Sequence, residues 1–152
     1  DHLSTLFPEV RLKTFLEQRG ADGGPWSRLC ALPAFWVGLL YDDTALDAAW
    51  DLVKDWTSEE RIALRTDTAE LALQAPFRGG KVQDVALKAL DIAREGLKAR
   101  ARVNAHGEHE ALFLDDLFEI ARSGHSPADL LIERFHNEWN DSVEPVFKAC
   151  AY

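Results

Sequence analysis

One extended segment at the start of an otherwise helical chain is the feature that most constrains the fold. Apolar and polar residues alternate along PEVRLKTFLEQR, residues 8–19, as in a strand with one covered face. The two faces would carry Val10, Leu12, Thr14 and Leu16 on one side and Glu9, Arg11, Lys13, Phe15, Glu17 and Arg19 on the other. A helix is the competing interpretation, because Leu, Glu, Arg and Lys form helices well. We predict one long strand, since the apolar period is two and Pro8 and Gly20 bracket it.

The sequence after the glycine-rich break at residues 21–25 predicts helices throughout. Their expected ranges are 26–43, 44–56, 57–73, 81–102, 111–123 and 126–138. The first is apolar nearly all round, so we expect it to be buried, with a kink at Pro33. Thr57 followed by Glu60 has the form of a capping box, and Ser126 before Pro127 is a typical helix start.

A lone strand cannot satisfy its own backbone hydrogen bonds. The predicted strand must therefore pair with strands that are absent from this sequence, or with a second copy of the chain. The chain also begins at Asp1 and contains no Met, which suggests part of a longer protein. The predicted fold class is α+β, with a strand and turn over residues 1–25 and a mainly helical region over residues 26–152.

Composition excludes several classes of partner. The formal net charge of −9 argues against a nucleic-acid surface. The longest apolar run, residues 32–41, is about half of the roughly 20 residues that span a bilayer. Two cysteines, Cys30 and Cys150, form neither a disulfide framework nor a metal-ligand pair by spacing. With no basic leader region at the start, these features predict a cytoplasmic protein.

Glu17 and Arg19 are the residues most suited to chemistry. Residues two apart on a strand point the same way and lie roughly 7 Å apart. A carboxylate so placed could hold Mg²⁺ on a phosphate group, while the guanidinium neutralises charge on the transferred phosphoryl. The plainer interpretation is a surface ion pair, which contributes little. Arg11 and Lys13 share this strand face and are further candidates for anion contacts.

A resemblance makes the first third of the chain specific. The run FPEVRLKTFLEQRGADGGPWSRLCALPAFWVGLLYDD, Phe7 to Asp43, is similar nearly residue for residue to plant-type glutamate–cysteine ligases, a class shared with many proteobacteria. The similarity continues more loosely through DWTSEER, APFRGG, FEIARSGHSPADLLIERF and EWNDSVEPVF.

The resemblance implies an active-site wall made of a curved antiparallel sheet, as in glutamine synthetase. It implies that ATP phosphorylates the γ-carboxyl of glutamate, that the cysteine amine attacks the acyl phosphate, and that γ-glutamylcysteine, the first intermediate of glutathione synthesis, results. Glu17 would then be a Mg²⁺ ligand, Arg19 would contact the transferred phosphoryl, and Arg11 and Lys13 would be weaker candidates for contacting ATP. It also implies that Cys30 is half of a regulatory disulfide whose partner lies outside this chain.

Two alternatives remain open from the sequence. The chain could be a helical interaction or regulatory module whose strand augments a partner's sheet. It could also belong to another ATP-dependent carboxylate–amine ligase with a different acceptor. Under the favoured interpretation, the remaining metal carboxylates and the glutamate and cysteine pockets lie outside this chain, so the isolated 152-residue chain should be inactive.

Overall fold

The structure is a computed structural model that describes residues 9–21 and 23–151, apart from the side chain of Ser27. Pro8, at which the predicted strand begins, lies outside the described residues. The strands are β1 (Val10–Leu12), β2 (Leu16–Gln18), β3 (Pro76–Phe77) and β4 (Gly80–Lys81). The helices are α1 (Trp26–Leu40), α2 (Asp43–Val53), α3 (Ser58–Leu71), α4 (Val82–Arg100), α5 (Asp115–Ser123), α6 (Pro127–Asn137) and α7 (Glu144–Ala149). Short 3₁₀ helices cover Ala72–Gln74 and Glu110–Leu114.

The predicted long strand is a hairpin instead. β1 and β2 pair antiparallel, with Arg11 opposite Glu17 and Leu12 opposite Leu16. The segment folds back over a short turn in which the backbone N–H of Lys13 donates to the carbonyl of Phe15. The backbone N–H and C=O groups of a single strand lack partners, and folding back lets the segment pair part of its own backbone. The alternation is preserved, so Val10, Leu12 and Leu16 still share one face.

Within the described residues, helix α1 is covered on one side only, which corrects the expectation that it is buried all round. Its inner side packs into the core through Ala31, Ala34 and Leu39. The opposite side, which we call the outer stripe, consists of the exposed residues Trp26, Leu29, Leu32, Pro33 and Leu40. Trp26 is 77% exposed and Leu29 49%. An apolar stripe this exposed on a core helix is typical of a surface that another element covers.

Helices α1 and α4 approach each other through glycine. A Cβ atom built on Gly38 would lie well inside contact distance of the Ala93 carbonyl oxygen, and one on Gly96 would meet the Gly38 carbonyl oxygen. Both glycines are buried. The two backbones therefore touch at a point where no side chain fits, and this contact sets the distance between the helices.

The core surrounds this crossing. Its buried members are Ala34, Leu39, Leu90, Ala93, Leu97, Leu114, Phe118 and Ala121. The helical period over residues 81–102 predicts a core face of Val82, Val85, Leu90, Ile92, Ala93 and Leu97. Of these, Leu90, Ala93 and Leu97 are buried, whereas Val82, Val85 and Ile92 are half-buried. The core thus lies between α1, α4, α5 and the 3₁₀ helix Glu110–Leu114.

The predicted helix boundaries set by local signals are confirmed. Thr57 Oγ1 accepts from the N–H of Glu60, and the Glu60 carboxylate accepts from the N–H of Thr57. Ser126 and Asp129 form the same reciprocal pair at the start of α6. Gly124 ends α5 at a φ of 72°, where glycine is favoured.

Two further properties of the helices concern their hydropathy and their exposure. Within the described part of the chain, no single helix is both long and apolar enough to cross a membrane, although Arg28–Leu40 and Asp43–Val53 pass that test as a pair bent by 92°. At the other end, α6 and α7 contain no buried residue. Phe147 of α7 is 78% exposed.

Candidate functional site

The hairpin places two of the predicted site residues directly against each other. Arg11 of β1 and Glu17 of β2 are register partners. The Nε atom of Arg11 donates to Oε2 of Glu17 at 2.6 Å. Both side chains are about one-third exposed, so the pair is accessible from solvent. Cross-strand neighbours of opposite charge are the usual stabilising pair of an antiparallel ribbon.

Lys13 joins this pair from the turn. Its Nζ lies 3.9 Å from Oε1 of Glu17, on the second carboxylate oxygen. The same Nζ lies 5.8 Å from the centre of the Phe15 ring. One carboxylate is therefore faced by a different cation at each of its two oxygens.

Arg19 completes what we call the charged cluster, defined as Arg11, Lys13, Glu17 and Arg19. Arg19 is half-buried just beyond the end of β2. Its backbone N–H donates to the carbonyl of Glu9 at 2.8 Å, which extends the pairing of the hairpin by one residue. Its charge acts on Glu17, because it contributes to lowering the pKa of that carboxyl.

The pKa of Glu17 lies below its usual value of 4.5. The hydrogen bond from Arg11 is the largest cause, partial desolvation opposes it, and the charges of Arg11, Lys13 and Arg19 add to the lowering. Glu17 is therefore an ionised carboxylate at neutral pH. Hydrogen bonds and cations that favour the charged form are the physical origin of the shift.

The donor set fits a magnesium ion only as a single protein ligand. No group of three or more His, Cys, Asp or Glu side chains among the described residues could enclose a metal ion. Mg²⁺, however, keeps several waters and is commonly held by one or two carboxylates together with substrate phosphates. An ionised, solvent-accessible Glu17 meets the protein part of that requirement, and the neighbouring cations suit the phosphate part.

The opposite face of the hairpin is apolar and exposed. Leu12 is 79% exposed and Leu16 64%, and the two residues are register partners. The hairpin thus has one charged and one apolar side, and both sides face solvent. This arrangement suits a segment that lies between a ligand site and a covering layer.

The sequence of the chain is similar to a known protein family and to several plant enzymes. Residues 1–149 match the model of Glutamate-cysteine ligase family 2 (GCS2). The chain belongs to this family. All 152 residues align at 52% identity with the chloroplastic glutamate–cysteine ligase of Arabidopsis thaliana and at 49% with that of Nicotiana tabacum, covering 28% of each. Glutamate–cysteine ligase A of Oryza sativa subsp. indica aligns at 48% over 30% of its length.

These findings confirm the resemblance seen in the sequence and correct one prediction. The expected cytoplasmic location is contradicted, because these relatives are named chloroplastic enzymes. The chain spans less than a third of the length of these relatives. The family is a ligase family, and the matched portion contains the charged cluster.

Cys30 lies in a separate cleft of about 280 Å³ between α1, the end of α4 and the 3₁₀ helix Glu110–Leu114. The cleft also contains Arg100 and Glu110, whose Nε and Oε1 atoms lie 2.9 Å apart. Cys30 is half-buried and Cys150 exposed, and both are free thiols. The sequence did not reveal the Arg100–Glu110 pair, because its two residues come from different elements and no local pattern joins them.

A second ion pair missed by sequence analysis ties β3–β4 to α3. Arg78 donates from Nε and Nη2 to the two carboxylate oxygens of Glu60 at 2.7 and 2.6 Å, and also donates to the carbonyl of Asp55. Trp56 packs edge-on against Phe77 at 4.8 Å between ring centres. The ion pair and the ring contact together order the β3–β4 hairpin and do not form a ligand site.

Proposed function

We propose that this chain carries part of the nucleotide site of a glutamate–cysteine ligase. The reaction is the ATP- and Mg²⁺-dependent joining of the glutamate γ-carboxyl to cysteine through a γ-glutamyl phosphate. The carrying observation is the charged cluster, in which Glu17 meets Arg11 at 2.6 Å and Lys13 at 3.9 Å in a chain of this family. The names and identities of the relatives support the same activity.

Each member of the charged cluster has a distinct proposed role. Glu17 is a ligand of Mg²⁺, which when bound neutralises charge on the phosphate oxygens. Arg19 contacts the phosphoryl group as it moves from ATP to the glutamate carboxylate, where charge on the equatorial oxygens needs a fixed cation. Arg11 and Lys13 are cationic contacts for the other phosphates.

The proposed site is completed by residues outside this chain. Phosphoryl transfer needs further metal ligands, and no group of three or more His, Cys, Asp or Glu side chains among the described residues could hold a metal ion. The relatives are more than three times longer than the chain, so they contain ample sequence for the missing ligands. We propose that these come from an antiparallel sheet of the glutamine-synthetase type, to which the hairpin adds.

We propose that this antiparallel sheet, which comes from the rest of the ligase, also covers the outer stripe of α1. The outer stripe begins at Trp26, a few residues after the hairpin, and the apolar side of the hairpin is exposed as well. One layer that pairs with the hairpin would cover both surfaces and bring the missing carboxylates. A second copy of this chain would cover apolar surface but would supply no new kind of ligand.

Substitution of Glu17 tests the activity. In the complete ligase polypeptide, we expect Glu17→Gln and Arg19→Gln to lower kcat on the order of 10³-fold while the thermal midpoint stays near that of the wild type. Glu9→Gln is the matched control, because Glu9 pairs outward with Arg65 at 3.0 Å and should leave turnover unchanged. Full turnover in the Glu17 and Arg19 variants would contradict the proposal.

A helical interaction module is the second candidate, and the exposed outer stripe is the observation that favours it. Under that reading, a partner would bind α1 without any use of the charged cluster. Leu29→Ser would then abolish complex formation, and Glu17→Gln would leave it intact with no ligase activity at any stage. The purified 152-residue chain should show no activity with ATP, Mg²⁺, glutamate and cysteine under either function.

A further inference from the structure

Helix α2 carries an apolar pair on the side that faces away from the core. Leu46 is 42% exposed and Trp50 61%, and residues four apart on a helix are neighbours on one face. The inner side of the helix is already covered, since Ala45 is buried against Gly96 of α4 and Ala49 packs against the core. Leu46 and Trp50 are therefore not needed to attach α2 to the described core.

A row of carboxylates runs beside this apolar pair. Asp43, Asp47 and Asp51 are each four residues apart, so they follow one side of α2, and Asp47 lies three residues before Trp50. All three aspartates are exposed. Asp51 is paired with Lys54 at 2.6 Å, whereas no cationic side chain in the described part of the chain pairs with Asp43 or Asp47. Like charges four apart on a helix repel each other, so a cation that binds along this row relieves the repulsion.

This surface, which we call the α2 face (Asp43, Leu46, Asp47, Trp50 and Asp51), differs from the outer stripe of α1. The outer stripe is wholly apolar, as in permanent interfaces that resemble a domain core cut in half. The α2 face has an apolar centre and a charged rim, which is the usual composition of an interface between separately folded partners. Trp is also among the residues that most often dominate the affinity of such interfaces.

The charge of the rim selects the kind of partner. A row of carboxylates repels nucleic acids and the anionic surfaces of membranes. A protein segment that carries Lys or Arg next to apolar side chains complements both parts of the α2 face, because its cations match the rim and its apolar side chains match the centre.

We propose that the α2 face is a docking site for a basic amphipathic segment of a partner protein. Leu46 and Trp50 receive the apolar side chains of the segment, and the three aspartates receive its cations. Contact with Trp50 provides most of the affinity, whereas the aspartates speed association and select against acidic partners. No residue of the α2 face belongs to the charged cluster, so the inference does not depend on the proposed function.

The experiment measures the binding of short, fluorescently labelled helical peptides to the complete ligase polypeptide by fluorescence anisotropy. The probe peptide carries Leu along one face and Lys on the flanking positions, and the control peptide has Glu in place of Lys. We expect the Lys–Leu peptide to bind and the Glu–Leu peptide not to bind. Trp50→Ser should weaken binding of the Lys–Leu peptide by about tenfold or more and leave turnover unchanged. Absence of binding by the Lys–Leu peptide, or equal binding of the two peptides, would contradict the proposal.

A second pair of variants separates the rim from the net charge of the protein. Replacing all three aspartates of the α2 face by Asn should weaken binding of the Lys–Leu peptide and reduce its dependence on salt concentration. The matched control removes three exposed carboxylates on other helices and should bind the peptide as the wild type does; its changes are Glu70→Gln, Glu119→Gln and Glu133→Gln. Equal weakening in both triple variants would show that the peptide responds only to net charge, and the proposal would be wrong.

Two further measurements distinguish other occupants of the α2 face. We expect Trp50→Ser to leave both the oligomeric state and the thermal midpoint of the complete ligase near those of the wild type, as for an exposed residue. If this substitution converts a dimer into monomers in sedimentation experiments, the α2 face joins two copies of the chain. If it lowers the thermal midpoint by several degrees, the α2 face packs against the rest of the ligase. Either result would overturn the proposal.

Discussion

The β1–β2 hairpin and the α1–α4 crossing are joined by opposite kinds of contact. Across the hairpin, facing side chains are long, charged and about one-third exposed, as Arg11 and Glu17 show. Across the helix crossing, Gly38 and Gly96 bring the backbones together and leave no space for a side chain. Contacts of the first kind exchange partners at low cost, whereas those of the second kind tolerate no change.

This difference separates stability from ligand chemistry along the chain. Core packing, which contributes most of the stability, lies after residue 30. The residues proposed to bind nucleotide lie before residue 20, on a segment that contributes no residue to that core. Substitutions in the two regions should therefore have effects of different kind, and the following predictions test this from the largest expected effect to the smallest.

Gly38→Ala should have the largest effect. The added methyl group would overlap the Ala93 carbonyl oxygen, which is backbone and cannot swing away, so α1 and α4 must separate. Overpacking ordinarily costs about 1–3 kcal/mol, but this clash is with backbone and disrupts the whole α1–α4 packing. We therefore expect a net loss above the roughly 2–5 kcal/mol of a core truncation, even after the gain of roughly 1 kcal/mol from replacing a helical glycine. Gly23→Ala is the control, because a methyl group there meets no atom within 4 Å. Equal thermal midpoints for the two variants would contradict the close crossing.

Leu97→Ala should follow in size. Leu97 is fully buried in α4, and such truncations cost about 2–5 kcal/mol when the cavity does not collapse. Leu12→Ala makes the same chemical change at a residue that is 79% exposed in the hairpin and should cost less than about 0.5 kcal/mol. Urea denaturation measures both. A cost at Leu12 equal to that at Leu97 would show that the hairpin belongs to the core.

Removal of the Glu60–Arg78 ion pair by Glu60→Gln should have the smallest effect on stability, and this effect should depend on pH. The hydrogen bond from Arg78, with those at the backbone of Thr57, lowers the pKa of Glu60 from 4.5 to about 2. Because the folded pKa is the lower one, the stabilisation is present above pH 4.5 and is lost as the pH falls towards about 2. The difference in thermal midpoint between wild type and Glu60→Gln should therefore shrink over that range.

Arg78→Gln supplies the matching measurement. Without the guanidinium, the Glu60→Gln substitution should cost less at neutral pH than it does in the wild-type background. A cost that is the same in both backgrounds would mean that the capping contact to Thr57, rather than Arg78, carries the effect.

The sequence predicted those features that depend on neighbours along the chain. The capping pairs at Thr57 and Ser126 were confirmed because a cap is complete within four residues. Leu90, Ala93 and Leu97 were placed in the core because helical period alone aligns them. The start of α7 was missed, although Pro145 at its beginning is a typical helix-start signal.

Features that depend on distant partners were not predicted. Alternation over residues 8–19 is the same for one strand and for a symmetric hairpin, so it could not reveal that Arg11 faces Glu17. Apolar residues all round α1 predicted burial, but periodicity does not show that the described residues cover only one side of the helix. The roles of Glu17, Arg19, Arg11 and Lys13 toward Mg²⁺ and ATP stay predictions.

Pro33 has a consequence for whatever covers the outer stripe. Proline has no amide hydrogen, so α1 cannot give the Leu29 carbonyl its usual donor, and both residues lie on the exposed side of the helix. The Leu29 carbonyl oxygen is thus a single hydrogen-bond acceptor at a fixed position within the apolar outer stripe. An element that covers the outer stripe must therefore place a donor opposite this oxygen, either an amide, a hydroxyl or a buried water. An entirely apolar surface would allow several alignments of the covering element along α1, whereas a single buried acceptor favours one alignment.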